Sequence, residues 1–204
     1  MKRKRVSVKV YHGYGHTQNL VVYGHVFLKR ADAKQMFSTS VYRNIRHLIK
    51  LFSLKPYPGV DVRLDFNGQI IESKTEKDGF FKFEWKADHE VSPGVHVVAI
   101  SASDEAGEQL AFGEGKVYVP HITQYGVISD VDDTVMISHS ATIARRLREL
   151  FIKNPRTRKT FPGVRQHYQM LAKAHTTEDQ PNPFFYVSSS EWNLYDKSAV
   201  HFFW

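Results

Sequence analysis

The sequence predicts an α+β protein of two domains, in which a β-sandwich is followed by the first part of a Rossmann-like α/β domain. Up to residue 120, short segments that alternate apolar and polar residues are separated by turn residues about every ten positions. After Pro120, apolar strands alternate with helical segments. The 204 residues are 42% hydrophobic, which is enough for a core, and none is cysteine. Disulfide frameworks, thiolate zinc sites and cysteine nucleophiles are therefore excluded.

The strands of the first domain, residues 1–120, are predicted from period-two alternation. The clearest case runs from Val60 to Phe66 and meets Asn67-Gly68, a strong signal for a two-residue hairpin turn. Residues 69–74 then form the returning strand. Asp78-Gly79 predicts a second turn. Comparable segments predict further strands at 6–10, 20–27, 80–85, 95–102 and 116–119.

One amphipathic helix is predicted as an insertion in this domain. Six apolar residues recur at helical spacing, and three basic residues fall on other faces. We expect this stripe to pack in a core, and the alternative is a helix that lies on a membrane surface. The apolar residues are Val41, Tyr42, Ile45, Leu48, Ile49 and Phe52, and the basic residues are Arg43, Arg46 and Lys50.

The second domain, residues 121–204, has a different pattern. A buried-type strand is predicted from Tyr125 to Asp130, and a short apolar strand at 184–187. Helices are predicted between them, at 143–152 and 164–174. Strands that alternate with helices in this way are typical of a parallel sheet.

The strongest chemical signal follows the first of these strands. The segment Val-Ile-Ser-Asp-Val-Asp-Asp-Thr places Asp130 and Asp132 in the turn at the carboxyl end of the strand, where open parallel sheets bind ligands. Beside a divalent cation, one carboxylate can attack phosphorus while the other protonates the leaving oxygen. The alternative interpretation is an acidic turn or a simple calcium-binding loop.

These residues resemble the first motif of the haloacid dehalogenase superfamily, an apolar strand followed by Asp-x-Asp-x-Thr. The second superfamily motif is an apolar strand that ends in Ser or Thr, and Phe184-Phe-Tyr-Val-Ser188 is similar to it. Two longer segments narrow the resemblance to the phosphatidate phosphatase family typified by the actin-patch protein. They are Ile-Ser-Asp-Val-Asp-Asp-Thr-Val at 128–135 and Phe-Tyr-Val-Ser-Ser-Ser-Glu-Trp-Asn-Leu-Tyr at 185–195. Phe161-Pro-Gly163 before a helix also fits this family.

The resemblance implies a role for each matching residue. Asp130 would be the nucleophile and would bind Mg²⁺, and Asp132 would be the general acid and base, with its carbonyl reaching the metal. Thr134 would support the loop. Ser188 would donate a hydrogen bond to the phosphoryl oxygens, together with the backbone N–H of Ser189. The implied reaction is Mg²⁺-dependent hydrolysis of a phosphomonoester, with phosphatidate converted to diacylglycerol.

The sequence departs from the superfamily pattern after the second motif. A lysine and an acidic pair that completes the Mg²⁺ site are expected there, and no candidate for either occurs before Trp204. We therefore expect residues 121–204 to be an incomplete phosphatase catalytic domain. Because phosphoryl transfer depends on positioning and electrostatics, we expect this chain to be weakly active or inactive alone.

Charge and hydropathy bear on location and partners. The net charge is +7, and residues 145–159 carry seven Lys or Arg against one Glu. This cluster suits an anionic phospholipid, so the expected partner is a lipid substrate with peripheral membrane contact. The basic start of the chain is followed by an alternating segment and not by an apolar stretch, which predicts a cytoplasmic protein.

Two other functions compete with a phosphatase. The first domain could be a non-enzymatic binding or scaffold module that carries a phosphatase remnant. A nucleic-acid binder that uses the basic N-terminus is a third possibility, but no recognition motif supports it and we expect no nucleic-acid partner. The oligomeric state stays open.

Overall fold

A computed structural model of the chain describes residues 6–28, 42, 54–130, 161–177 and 180–187. The chain divides into two compact units, Met1–Lys34 with Leu54–His121, and Gln35–Ser53 with Ile122–Trp204. The described strands of the first unit are β1 (Ser7–Val10), β2 (Gly13–Gly15), β3 (Asn19–Phe27), β4 (Asp61–Phe66), β5 (Gln69–Lys74), β6 (Phe80–Lys86), β7 (Gly94–Ser103) and β8 (Gln109–Val119). The second unit contains β9 (Val127–Asp130), α1 (Val164–Lys173) and β10 (Phe184–Val187).

The first unit is built from antiparallel pairs. Strand β3 pairs with β6 on one edge and with β1 and β2 on the other. Strands β8, β7, β4 and β5 form a second antiparallel run in that order. Strand β2 connects the two runs, because it also pairs in parallel with β8.

The core of the first unit lies between these two runs of strands. Alternate residues of β3, β4, β6, β7 and β8 point into it, as the period-two pattern predicts. Strand β4 shows this directly, since Val62, Leu64 and Phe66 are buried and the residues between them are not. The other large members are Leu20, Val22, Val26, Phe81, Phe83, Trp85, Val98, Ile100, Val117 and Val119.

The predicted hairpin is confirmed. Strands β4 and β5 pair with Phe66 opposite Gln69, which leaves Asn67 and Gly68 as the two turn residues. Their φ angles are 53° and 85°. Two consecutive positive φ angles define a type I′ turn, whose twist matches that of the flanking strands.

The other predicted strands of the first unit are also present, with two differences. Strand β8 begins at Gln109, well before the predicted start at residue 116. The three-residue strand β2 was not predicted at all. The predicted inserted helix covers residues 41–52, of which the structure describes only Tyr42, which is helical and 73% exposed.

The second unit contains a parallel β–α–β arrangement. Strands β9 and β10 pair in parallel, and α1 lies between them in sequence, close to the predicted helix at 164–174. The predicted helix at 143–152 lies outside the described residues. A parallel pair with one helix is only a part of a Rossmann-like domain, so the full α/β domain stays a prediction.

Candidate active site

The two sequence motifs meet at one edge of the parallel pair. The register places Asp130 opposite Val187, so both strands reach their carboxyl ends together. Asp130 is the last residue of β9 and is exposed. Val187 immediately precedes Ser188 in the sequence. The carboxyl end of parallel strands is where α/β folds bind their ligands.

Only one of the predicted site residues is described. Asp130 has the position just given, at the exposed end of its strand. The predicted roles of Asp132, Thr134, Ser188 and Ser189 fall outside the described residues. Within the described ranges, no group of three or more His, Asp or Glu side chains is arranged to hold a metal ion. In the same part of the chain, no helix is long and apolar enough to cross a membrane.

The two faces of the parallel pair differ. On one face, the Tyr168 ring of α1 stacks on Phe184 of β10 with centroids 5.2 Å apart, and Phe184 stacks in turn on Tyr186. On the other face, Ile128 of β9 is 75% exposed. The prediction of a buried-type strand is therefore wrong for this face. Parallel strands are usually buried on both sides, whereas α1 provides contacts to one side here.

A chain of hydroxyl groups joins α1 to the backbone of the candidate nucleophile. Tyr168, which is buried, has its phenol oxygen 2.5 Å from the Oγ of Ser129. The same Oγ donates a hydrogen bond of 2.9 Å to the carbonyl oxygen of Asp130. Ser129 and Tyr168 were not predicted as site residues, because the resemblance implies no role for Ser129 and Tyr168 lies outside both motifs.

Burial also affects the neighbouring phenol. Desolvation, followed by the proximity of Tyr168, raises the pKa of Tyr186 well above its ordinary value. Tyr186 therefore stays protonated and neutral throughout the physiological pH range. It contributes an aromatic surface beside the strand ends and no negative charge.

Asn182 anchors the start of both strands to the end of the helix. Its side-chain N–H groups donate to the carbonyls of Leu171 and Ala174, at 2.9 and 2.8 Å. Its side-chain oxygen accepts from the backbone N–H of Tyr125, just before β9. These contacts bind carbonyls at the end of α1, where partners within the helix run out, and the carbonyl of Leu171 also accepts the backbone N–H of Ala174 at 3.2 Å.

The segment before α1 is a turn. Gly163 precedes the helix with a φ of 81°, a left-handed conformation that glycine adopts without strain. Its carbonyl accepts the N–H of His167 at 2.9 Å, the first hydrogen bond of the helix. The Phe161-Pro-Gly163 segment, which was one of the family resemblances, therefore forms the start of α1.

Comparison with protein families points to a class of enzyme. Residues 125–203 match the family model described as the catalytic domain of phosphatidate phosphatase APP1. The matched segment begins just before β9 and includes every predicted site residue. It supports a phosphatidate phosphatase-like hydrolase for this part of the chain.

Other comparisons add little. Among curated proteins, none matches this chain. Among solved structures, the fibronectin(III)-like modules of CbhA from Clostridium thermocellum are 15% identical, over 56% of this chain and 94% of that one, with a TM-score of 0.27. A 1.5-MDa bacterial ice-binding adhesin is 9% identical over 63% and 39%, with a TM-score of 0.30. An immunoglobulin-like domain of the M. primoryensis ice-binding adhesin is 12% identical over 58% and 98%, with a TM-score of 0.25. Scores this low carry no argument.

Proposed function

We propose that this chain is a Mg²⁺-dependent phosphatase that hydrolyses phosphatidate to diacylglycerol through a phosphorylated Asp130. One observation carries the proposal. The parallel register brings the end of β9, with Asp130, beside the end of β10, which leads into Ser188. These are the two segments that resemble the nucleophile and phosphate-binding motifs of phosphatidate phosphatases.

The chemistry divides into two transfers. An oxygen of the Asp130 carboxylate attacks phosphorus, and the bond between phosphorus and the glycerol oxygen breaks. Asp132 gives its proton to that oxygen, which leaves as the hydroxyl of diacylglycerol. Asp132, now ionised, takes a proton from a water molecule, and the oxygen of the resulting hydroxide attacks phosphorus. The acyl-phosphate bond breaks, which releases inorganic phosphate and restores the Asp130 carboxylate.

The other residues of the proposed site position the phosphoryl group. Ser188 donates to its oxygens together with the backbone N–H of Ser189, and Thr134 supports the loop that carries Asp132. Mg²⁺, when bound, offsets the negative charge that develops on these oxygens. Carboxylate and carbonyl oxygens are the ligands that Mg²⁺ prefers, and the exposed Asp130 carboxylate fits that requirement. We propose Asp130 and the carbonyl of Asp132 as its ligands from this chain.

We further propose a cytoplasmic protein that meets its substrate by peripheral contact with a membrane. The basic residues at 145–159 support this, because each Lys or Arg near an anionic surface contributes about 1 kcal/mol. Reversing the charges of Arg145, Arg146 and Arg148 should weaken binding to phosphatidate vesicles. Unchanged vesicle binding would contradict the membrane contact and leave the hydrolytic proposal intact.

The proposed reaction is tested by phosphate release from phosphatidate. Of the two outcomes expected from the sequence, weak activity or none, the proposal commits to weak activity. We expect slow release that requires Mg²⁺ and disappears in the Asp130→Asn variant, which has no nucleophilic carboxylate. Asp88→Asn, a change at an exposed carboxylate of the first unit, is the matched control and should retain the activity. Activity that survives in Asp130→Asn, or a wild-type chain that releases no phosphate, would overturn the proposal.

A non-enzymatic binding module is the second candidate. The observation that favours it is the hydrophobic core of the first unit, whose described members run from Leu20 to Val119. A unit with its own core can fold and bind a partner by itself. Phosphate release that is lost in Asp130→Asn decides against this candidate as the main function.

A further inference from the structure

The donor and the acceptor can be assigned for each hydrogen bond that connects α1 to the end of β9. Ser129 has a single hydroxyl hydrogen, and it donates this hydrogen to the carbonyl oxygen of Asp130. The hydrogen bond between Ser129 and Tyr168 therefore needs its hydrogen from the phenol. The result is a two-step chain in which Tyr168 donates to Ser129, and Ser129 donates to the Asp130 carbonyl.

The Asp130 carbonyl lies at the point where the chain leaves strand β9. It belongs to the peptide that joins Asp130, the last residue of β9, to Val131, and so stands at the start of the segment that leads to Asp132 in the sequence. The orientation of this peptide sets the direction in which the backbone leaves the strand. A hydrogen bond on its oxygen limits rotation of that peptide, and a second hydrogen bond behind the first polarises and strengthens it.

The tyrosine is itself held in place. Its ring stacks on Phe184 at 5.2 Å with 22° between the planes, and its side chain is buried. A buried phenol with a packed ring has few rotamers to lose when its hydroxyl forms a hydrogen bond. Tyr168 is thus a rigid donor on a helix, aimed at the strand that carries the candidate nucleophile.

We infer that Tyr168, acting through Ser129, is a positioning residue for the backbone of Asp130. The inference rests on the proposed function, because it concerns the geometry of the same nucleophile. In this role the pair acts through the backbone of Asp130 and not through contact with the substrate. It fixes the peptide that follows Asp130, so that the carboxylate of Asp130 is presented to phosphorus in one arrangement.

The positioning can be measured without any catalysis. Incorporating carbonyl-¹³C aspartate and ¹⁵N valine makes only Asp-Val peptides visible in a carbonyl–amide correlation spectrum, and the sequence contains two, at Asp61 and Asp130. Tyr168→Phe keeps the ring and removes the donor, and Ser129→Ala removes the hydroxyl that contacts the carbonyl. Both should move the Asp130 resonance upfield, because its carbonyl accepts a weaker hydrogen bond or none. The Asp61 resonance, in β4, should stay in place.

Two further variants separate positioning from a general loss of packing. Tyr186→Phe removes a phenol from the same aromatic stack and should leave the Asp130 resonance unchanged. Ser129→Thr keeps the hydroxyl and should hold the resonance close to that of the wild type. An Asp130 resonance that stays in place in Ser129→Ala and Tyr168→Phe, or that moves as far in Tyr186→Phe, would overturn the inference.

Kinetics provide the catalytic test. Tyr168→Phe and Ser129→Ala should each lower kcat about tenfold with KM unchanged. The double variant should lose no more than the greater single loss, because both residues belong to one chain of hydrogen bonds. An active wild type with unaffected variants would refute the positioning inference alone. A wild type without activity would refute the proposed function and the catalytic consequence, and a shifted Asp130 resonance would then show a structural contact only.

Discussion

At the scale of single residues, the buried amide of Asn182 makes several hydrogen bonds to the backbone around it. It joins the end of α1 to the segment before β9 through three side-chain hydrogen bonds. Its own backbone N–H donates to Ala172 at 2.7 Å. A side chain that makes three hydrogen bonds to the backbone at once loses all three when it is shortened; only the carbonyl of Leu171 keeps another partner, the backbone N–H of Ala174 at 3.2 Å.

We therefore predict that Asn182→Ala destabilises the second unit by about 1 to 3 kcal/mol. Asn182→Asp should be worse, because it directs carboxylate oxygens at the carbonyls of Leu171 and Ala174. Amide hydrogen exchange across α1 and β9 measures the effect, with exposed Gln166→Ala on the same helix as control. Exchange rates in Asn182→Ala equal to those of the control would contradict the assignment.

A second prediction at this scale concerns pH. His25 is 3% exposed, its Nδ1 lies 2.8 Å from the hydroxyl of Tyr11, and its ring stacks on Phe27. Burial lowers the pKa of His25 to about 4, although attraction by Asp78 opposes part of this shift. The unfolded chain then binds a proton first, so the stabilisation is complete above pH 6.5 and is lost as the pH falls towards 4.

His25→Gln removes this titration. The free energy of unfolding of the variant should fall less steeply between pH 7 and pH 4 than that of the wild type. We expect a difference of roughly 2 kcal/mol over this interval, after allowance for partial solvent screening. His89→Gln, at an exposed histidine, should leave the slope as it is. Equal slopes for His25→Gln and the wild type would show that His25 does not titrate as described.

At the scale of elements, the turn before β6 depends on one glycine. Gly79 has a φ of 77°, and a Cβ atom there would lie 2.6 Å from the carbonyl oxygen of Val26. Gly107 has a similar φ of 80°, but an added Cβ would meet nothing within 4 Å. The two positions therefore separate the conformational cost of a side chain from its steric cost.

We predict that Gly107→Ala destabilises the protein by about 1 kcal/mol, the usual cost of a left-handed conformation. Gly79→Ala should cost at least about twice as much, because the backbone of β3 must also move. Chemical denaturation of the two variants measures the difference. Similar losses at both positions would mean that β3 accommodates the methyl group without strain.

The sequence predicted well those elements whose conformation depends on residues that are neighbours in the chain. The Asn67-Gly68 hairpin follows from two residues that tolerate positive φ between alternating strands. Strand β2 was missed because Gly13-Tyr-Gly15 has low strand propensity and exists through pairing with β3 and β8, which are distant in sequence. Asn182 and Tyr168 were missed for the same reason. The side-chain hydrogen-bond partners of Asn182 lie 8 to 57 positions away in the sequence, and Ser129, the partner of Tyr168, lies 39 positions away.

At the scale of the whole molecule, the core of the first unit predicts its behaviour under protease. Residues 6–119 contain all of the buried cluster that runs from Leu20 to Val119. Limited proteolysis should therefore cleave near Pro120 and leave a resistant fragment that starts in the first unit. Mass spectrometry identifies the cut, and Gly79→Ala should accelerate loss of that fragment. Degradation of the whole chain at one rate would contradict the prediction of a resistant fragment.

The parallel pairing of β9 and β10 also has a consequence for how the chain is made. Ribosomes extend proteins by about 5 to 20 residues per second, and roughly 50 residues separate the end of β9 from the start of β10. Each newly synthesised β9 therefore waits on the order of 3 to 10 seconds for its neighbour. During that interval its apolar residues, among them Ile128, are available to other nascent chains and to chaperones. The hairpins of the first unit, whose strands emerge within a second or so of each other, have no comparable delay.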